Sequence, residues 1–344
     1  MVEWGRGSSI FDTEPEMIVC LQRSLDALHR EKTIIKECFV DLASFPEDQI
    51  IPAAALIDMW KELYGLDEEF WSIANLQKLT IHGLANIVSR YAGFYVSVVL
   101  YFFLCFCFIT HFDLLIICCC ELMICMWKKS LLSNLVVIIT RKEEMEEDGY
   151  YSDLFFTLHH MLRGLAIHEA SEDTTEQRNS LIIDIHGDNL PSWWTEQKYQ
   201  PKNARLLSVS TAFSRKWHYM QLPKVEVLVL NFQTEKYELP DFLDKMDKLK
   251  VLIVINYGSS PAELSNFQLL GSLPNLKRIR LEGVLITSTT KNPIQLDSLK
   301  KIAFSKCDLG QAFSNSSFKF SVAFPNLVEM NVEHCHDLKE LPAD

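Results

Sequence analysis

Glycine and proline are both sparse in this 344-residue chain, at 12 each. Collagen-like and low-complexity polymers need far more of them. Basic side chains are outnumbered, with 33 Lys and Arg against 45 Asp and Glu, a formal net charge of −12 and a pI near 5.4. A duplex-binding protein needs a basic face, so nucleic acid is not expected as a partner. Ten cysteines are too few for a disulfide-built scaffold in a chain this long. No G-x-x-x-x-G-K-[ST] run occurs, so the chain has no phosphate-cradling loop of that kind. Met1 to Cys20 is acidic and has no apolar stretch of the kind a secretory signal requires. What remains, 48% hydrophobic and 23% charged, is enough to fill about two ordinary domains.

One segment departs from that average. Residues 91–140 carry four charged side chains, Asp113, Glu121, Lys128 and Lys129, and six of the ten cysteines. From Tyr91 to Thr110 there is no charge at all, a length that can cross a bilayer as a helix. Three readings compete: a membrane span flanked by Lys128 and Lys129, a buried core element, and translated intron. Thymine-rich codons encode Phe, Leu, Ile, Val, Tyr and Cys, the composition found here. Ser89-Arg90-Tyr91 can also be read through a splice donor, and Thr140-Arg141-Lys142 through an acceptor. The retained intron is the favoured reading, with a membrane-anchored repeat protein (a span near 91–127) as the alternative. Localisation is accordingly expected to be cytoplasmic, or membrane under the alternative. The cysteines outside the segment, Cys20, Cys38, Cys307 and Cys335, read as reduced thiols.

The first ninety residues follow a helical period. Met17, Ile18, Leu21, Leu25 and Leu28 form one stripe, and Ile34, Ile35, Cys38, Phe39 and Leu42 a second. Pro46 ends the second helix and Pro52 opens a third, with Leu56, Ile57, Trp60, Leu63 and Tyr64 on one face and Gly65 as its C-cap. A fourth helix is expected from about Asp67 to Ser89, burying Phe70, Ile73, Leu76, Leu79 and Leu84. Short strands at Tyr150-Tyr151 and Leu154-Phe155 and a helix through Met161, Leu162, Leu165 and Ala166 complete a winged-helix pattern. Its usual DNA-reading helix would carry Asp58 and Glu62, which again argues against DNA.

From residue 201 the chain repeats Leu-x-x-Leu-x-Leu. Five copies align: Val225/Leu228/Leu230, Leu249/Leu252/Val254, Leu276/Ile279/Leu281, Leu299/Ile302/Phe304 and Leu327/Met330/Val332, with a weaker one at Leu207/Val209. Their spacings fall within the roughly 20–29 residues of leucine-rich repeats. Each unit contributes a strand to a parallel sheet and turns its three leucine-type positions inward. The chain stops in mid-repeat at Leu341-Pro342-Ala343-Asp344, from which the array is expected to continue. The fold class is therefore α/β: a helical, winged-helix-like module (1–90 and 141–200, interrupted by 91–140) followed by a repeat solenoid (201–344). On the concave side the early strands offer Val227, Val229, Val251, Ile253 and Ile255, an apolar patch that should not face water. It is expected to pack against another domain of the same polypeptide. Arg278, Arg280, Lys301, Glu329 and Glu333 on later strands would be left for partner contacts.

Chemistry motifs are few. His334-Cys335-His336 has no second ligand pair at metal-site spacing, so no metal is expected. His159 and His160 lack an obvious nucleophile or carboxylate partner, so no enzyme is expected.

The wording of the sequence resembles plant intracellular NLR resistance proteins. CFVDLASFPED (Cys38 to Asp48), ALIDMWKELYGLDE with its Ile57-Asp58-Met59-Trp60, EEDGYYSD, NLPSWWTEQK, VEVLVLNF, LKVLIVINYGSSPAELSNFQLLGSLPNLKRIRLE and HDLKELPA are similar to the helper class, whose N-terminal domain is like that of powdery-mildew resistance proteins. The resemblance covers about residues 1–90 and 141–344. It implies a role in plant innate immunity, as the winged-helix part of an NB-ARC module plus the first leucine-rich repeats. An upstream P-loop domain, missing here, would bind ADP or ATP, so this chain itself is expected to hold no cofactor. Its implied partners are that missing domain and other immune receptors or signalling proteins. The family's Met/Gln-His-Asp nucleotide motif corresponds to Leu158-His159-His160. His159 keeps the position placed near the diphosphate, whereas His160 replaces the Asp, which implies a looser closed state.

Overall fold

The computed structural model of the chain describes residue 25 and residues 33–89, 154–172, 179–185, 204–211, 222–286, 294–310 and 319–338. The 91–140 segment, the expected strand at Tyr150-Tyr151 and all of the first expected helix except Leu25 lie outside these residues.

The helical module contains α1 (Thr33–Leu42), β1 (Ile51–Pro52), α2 (Ala53–Tyr64), α3 (Glu69–Ile81), β2 (Asn86–Ser89), β3 (Leu154–Thr157) and α4 (His160–Glu172). The three strands form one antiparallel sheet in the order β1-β3-β2, with Ile51 opposite Phe156 and Val88 opposite Phe155. Helices packed on a small antiparallel wing give the winged-helix-like arrangement. Pro52 stands at the N-cap of α2, one residue before the expected position, and Gly65 closes the helix in the left-handed region (φ 65°), its N–H bonded to the Lys61 carbonyl.

The fourth expected helix is shorter than its apolar pattern suggested. It ends at Ile81 because Gly83 turns left-handed (φ 71°), with the Leu84 N–H returning to the Leu79 carbonyl at 2.8 Å and the Gly83 N–H to Thr80 at 3.0 Å. Residues 86–89 then cross to the wing as β2. Phe70, expected inside, is 45% exposed and meets Trp71 edge-on, because the core-facing stripe of α3 runs through Ile73, Leu76 and Leu79.

The solenoid carries β4 (Ser180–Ile185), β5 (Leu206–Thr211), β6 (Val227–Phe232), β7 (Lys236–Glu238), β8 (Val251–Asn256), β9 (Ala262–Ser265), β10 (Arg278–Glu282), β11 (Val284–Leu285), β12 (Lys301–Ser305), α5 (Phe320–Ala323) and β13 (Glu329–Glu333). Seven of these strands form one parallel sheet, ordered β13-β12-β10-β8-β6-β5-β4, and β7, β9 and β11 a second parallel sheet. The large sheet begins at Ser180, inside the segment that the sequence reading gave to the wing and linker. That strand, SLIIDI, has no leucine framework preceding it and so escapes the repeat pattern.

Register places equivalent repeat positions side by side: Leu228, Leu252, Ile279, Ile302 and Met330 make one row, Leu230, Val254, Leu281, Phe304 and Val332 the next. Both rows point into the solenoid core, with Val225, Leu249, Leu276 and Leu299 beneath them. Val332, on the outermost described strand, is 37% exposed, since nothing among the described residues stacks beyond it.

Candidate functional site

The two units meet on the concave face of the large sheet, where a second core forms. Val227, Val229, Val251, Ile253 and Ile255, together with Leu206, are buried there with Leu25, Phe39, Leu42, Phe45, Leu56 and Trp60 of the helical module. The partner of this patch is the helical module of the same chain. α2 is consequently buried over much more than one stripe, including Ala53, Leu56, Ile57, Asp58, Met59, Trp60 and Leu63. One side of it faces its own module and the other faces the solenoid. Burying this much aliphatic and aromatic surface is worth about 1.5–3 kcal/mol for each large side chain fully removed from water.

Across the sheet the concave row changes character. Leu206, Val227 and Val251 lead by register to Arg278, Lys301 and Glu329. At the charged end α2 supplies the complement. Arg278 Nη1 meets Asp58 Oδ1 at 2.9 Å and its Nε meets Glu62 at 3.3 Å; Lys277 meets Glu62 at 3.0 Å, and Lys301 meets Asp58 at 3.4 Å and Glu329 at 3.0 Å. Asp58 and Glu62 retain only 6% and 10% of their side-chain exposure, Arg278 13% and Lys301 8%. Burial works against the Lys301 charge, yet the Asp58 and Glu329 carboxylates outweigh it and hold its pKa above the usual lysine value. Arg278 and Lys301, expected to be left for partner contacts, are instead held by α2, whereas Glu329 pairs with Lys301 and stays exposed. α2 presents carboxylates at the spacing of one helical turn, and the stacked strands present cations opposite them. Arg280 is buried as well, its Nε without a partner among the described residues. Glu333, at the sheet's edge, is half-buried.

Backbone ends of the helical module are also captured. The Ser44 carbonyl, just beyond α1, accepts from Ser208 Oγ at 2.6 Å and Asn231 Nδ2 at 2.7 Å, and the Phe45 carbonyl accepts from Arg163 Nε at 2.7 Å. Arg163, on α4, grips Asp184 of β4 with two bonds of 2.6 and 2.9 Å. Arg205, held by Glu226 at 2.7 Å, donates to the Leu63 carbonyl at the C-terminus of α2, where the helix dipole favours a cation. Burial raises the Glu226 carboxyl, but bonds from Arg205 and Lys250 win and lower it overall.

Asp41 is the most enclosed acid of the junction. Its carboxylate accepts from Trp60 Nε1 at 3.1 Å, Tyr64 Oη at 2.7 Å and Ser180 Oγ at 3.1 Å, joining α1, α2 and β4. Burial pushes its pKa up to about 7, against the opposing pull of those donors. Neither Asp41 nor Arg163 stands out in the sequence, where each is one more charge on an amphipathic helix. The proximity of Ser180 and Asp184, more than a hundred residues from Asp41 and Phe45, is a tertiary fact.

His159 and His160 are brought to the start of α4, both exposed, their rings 4.0 Å apart. They do not join the buried junction. The Met161 N–H approaches His159 Nδ1 at 3.4 Å and the Arg163 N–H bonds the His159 carbonyl at 2.9 Å. Among the described residues no group of three or more His, Cys, Asp or Glu side chains is arranged to hold a metal, and no helix is long and apolar enough to cross a membrane; the apolar 91–140 run is not among those residues.

These features define a class: a winged-helix-like module clamped on the concave face of a leucine-rich-repeat solenoid. No protein-family model matches the chain. Over 98% of its length it is 37% identical to two probable disease resistance proteins of Arabidopsis thaliana, covering 35% of each. It is 30% identical, again over 98% of its length, to disease resistance protein ADR1 of the same plant, covering 36% of it. A further probable disease resistance protein from that plant is 32% identical over 93% of this chain and 64% of its own length. The chain is similar to these plant disease resistance proteins over nearly its whole length and spans about a third of the length of the first of them.

Proposed function

We propose that this chain acts in plant immunity as the regulatory part of a nucleotide-switched receptor, holding its winged-helix-like module closed against the repeats until a signal separates them. The observation that carries this reading is the ion-paired face of α2. The apolar core holds the two units together, and at its end Asp58 and Glu62 set against Lys277, Arg278 and Lys301 make the alignment of the contact dependent on charge and matched in register. The whole receptor would be cytoplasmic and non-enzymatic in this part. Its partners would be an upstream nucleotide-binding domain and other immune receptors or signalling proteins. ADP or ATP would be held mainly by that domain. The exposed pair His159 and His160 at the start of α4 suits one edge contact with a phosphate and supplies no cradle of its own.

The test is charge reversal in a receptor reconstructed to full length around this chain. Asp58→Lys with Glu62→Lys should release cell-death signalling without a pathogen signal. Adding Lys277→Glu, Arg278→Glu and Lys301→Glu should restore silence. A receptor that stays silent after the first pair of changes, or stays active after the complementary set, would show that this face does not restrain it.

A further inference from the structure

The repeat framework has a position three residues after its last leucine, where Leu-x-x-Leu-x-Leu-x-x-Asn/Cys places a side chain that satisfies free backbone carbonyls. Here that position is occupied by Tyr257, Val284, Cys307 and Cys335 in successive repeats. Two thiols therefore fall on neighbouring rungs only at the last pair. Each follows a residue in the left-handed region, Lys306 at φ 53° and His334 at φ 55°, so both strands leave the sheet through the same turn and keep their register beyond Ser305 and Glu333. The backbone N–H of Cys307 points at Cys335 Sγ at 3.4 Å. The Cys307 thiol has the Leu281 and Ser305 carbonyls at 3.3 Å as acceptors and the Cys335 sulfur beside it as a third. Cys307 is buried and Cys335 half-buried, with exposed His334 and His336 on either side of the latter.

We propose that Cys307 and Cys335 are a peroxide-oxidisable dithiol that closes a reversible disulfide between two consecutive repeats. Neighbouring strands lie about 4.8 Å apart, inside the Cα separation of roughly 4.4–6.8 Å that a disulfide spans. The division of labour follows from access and acidity. The Cys307 thiol donates toward Cys335 and lowers its pKa to about 7, while the same bond and burial raise that of Cys307. Cys335, as thiolate, attacks one oxygen of a hydroperoxide; the O–O bond breaks, leaving a sulfenic acid, and the released hydroxide or alkoxide takes up a proton. The Cys307 sulfur then attacks the Cys335 sulfur, the S–O bond breaks, and the departing hydroxide leaves with the Cys307 proton as water. Two electrons pass from the dithiol to one peroxide, and a thiol reductant reverses the bond.

The link would tie the last described repeat, whose Leu327, Met330 and Leu338 are only partly buried and whose Val332 is 37% exposed, to the one before it. Beyond Cys307 the Gly310 N–H reaches the Asp337 carboxylate, and Asp308 and Asp337 lie close enough to share a proton, which raises the pKa of Asp308. Cys38, buried against Asp41 and Asn75 with its pKa raised by that burial, is the internal control.

Trypsin separates the two cysteines, since Lys306, Lys319 and Lys339 bound peptides 307–319 and 320–339. The full chain is treated with hydrogen peroxide, its remaining thiols are alkylated, and it is digested without reductant. The expected result is a cross-linked 307–319/320–339 pair, two hydrogens lighter than its parts and abolished by dithiothreitol, with Cys38 still alkylated. Cys335→Ser should leave Cys307 reduced, and Cys307→Ser should leave Cys335 as a sulfenic acid that dimedone traps. In urea the selectivity for this pair should vanish. If Cys335 of the unaltered chain accumulates as sulfenic or sulfinic acid without the cross-link, or if both thiols stay reduced at peroxide levels that oxidise free cysteine, the proposal is overturned. The unaltered chain alone decides between these outcomes, whatever the folding of the variants.

Discussion

Asp41 shows how one carboxyl can report the closure of the whole junction. Its pKa is near 3.8 in water and about 7 in the folded chain. Between those values the folded state holds a proton that the unfolded state has lost. The stability this confers is complete below about 3.8 and disappears as pH rises through about 7. Asp41→Asn removes that dependence. The unfolding free-energy difference between variant and parent should change by up to about 4 kcal/mol between about pH 4 and about pH 8, at about 1.4 kcal/mol per pKa unit, the parent losing ground as pH rises. Parallel denaturation curves would rule it out. Arg280 is likewise buried, with its Nε unbonded among the described residues. Charges of this kind look like ordinary solvated side chains in the sequence. Whether a charge is desolvated depends on what covers it.

α2 and α3 show where element-level reading succeeds and where it fails. The apolar face of α2, with Leu56, Trp60 and Leu63, and its Gly65 cap are legible because one helix has to bury one stripe. Burial of its other side, Asp58 and Met59 included, is not legible, because the covering strands lie almost two hundred residues away. Trp60→Ala empties a fully buried site shared by both units and should cost about 3–5 kcal/mol in thermal or denaturant unfolding. In α3 the apolar pattern from Ile73 to Leu84 runs on smoothly, yet the helix stops, since a single left-handed Gly83 outweighs several favourable residues. Gly83→Ala should cost about 1 kcal/mol, its left-handed φ being the reason, as no neighbouring atom lies near the added Cβ. A cost near zero in equilibrium unfolding would mean that the turn relaxes.

For the molecule as a whole, the decisive contact is the one between helical module and solenoid. A double-mutant cycle on Asp58→Asn and Arg278→Met should give a coupling energy of about 1–3 kcal/mol in unfolding experiments, with each single change costing more because it strands the other charge. A coupling near zero would make the pair incidental. The leucine spacing alone was sufficient for the repeats, their rows and the inward direction of each leucine-type position, because a short repeated unit can close a core only by stacking on its neighbours. The apolar concave patch was legible too, as a surface that water should not touch. The identity of what covers it, the enlistment of Ser180–Ile185 as a further strand, and the conversion of Arg278 and Lys301 from free surface to buried clamp were decided in three dimensions. Local periodicity reports which face of an element is apolar; which distant surface meets that face depends on long-range packing and charge pairing that no local pattern encodes.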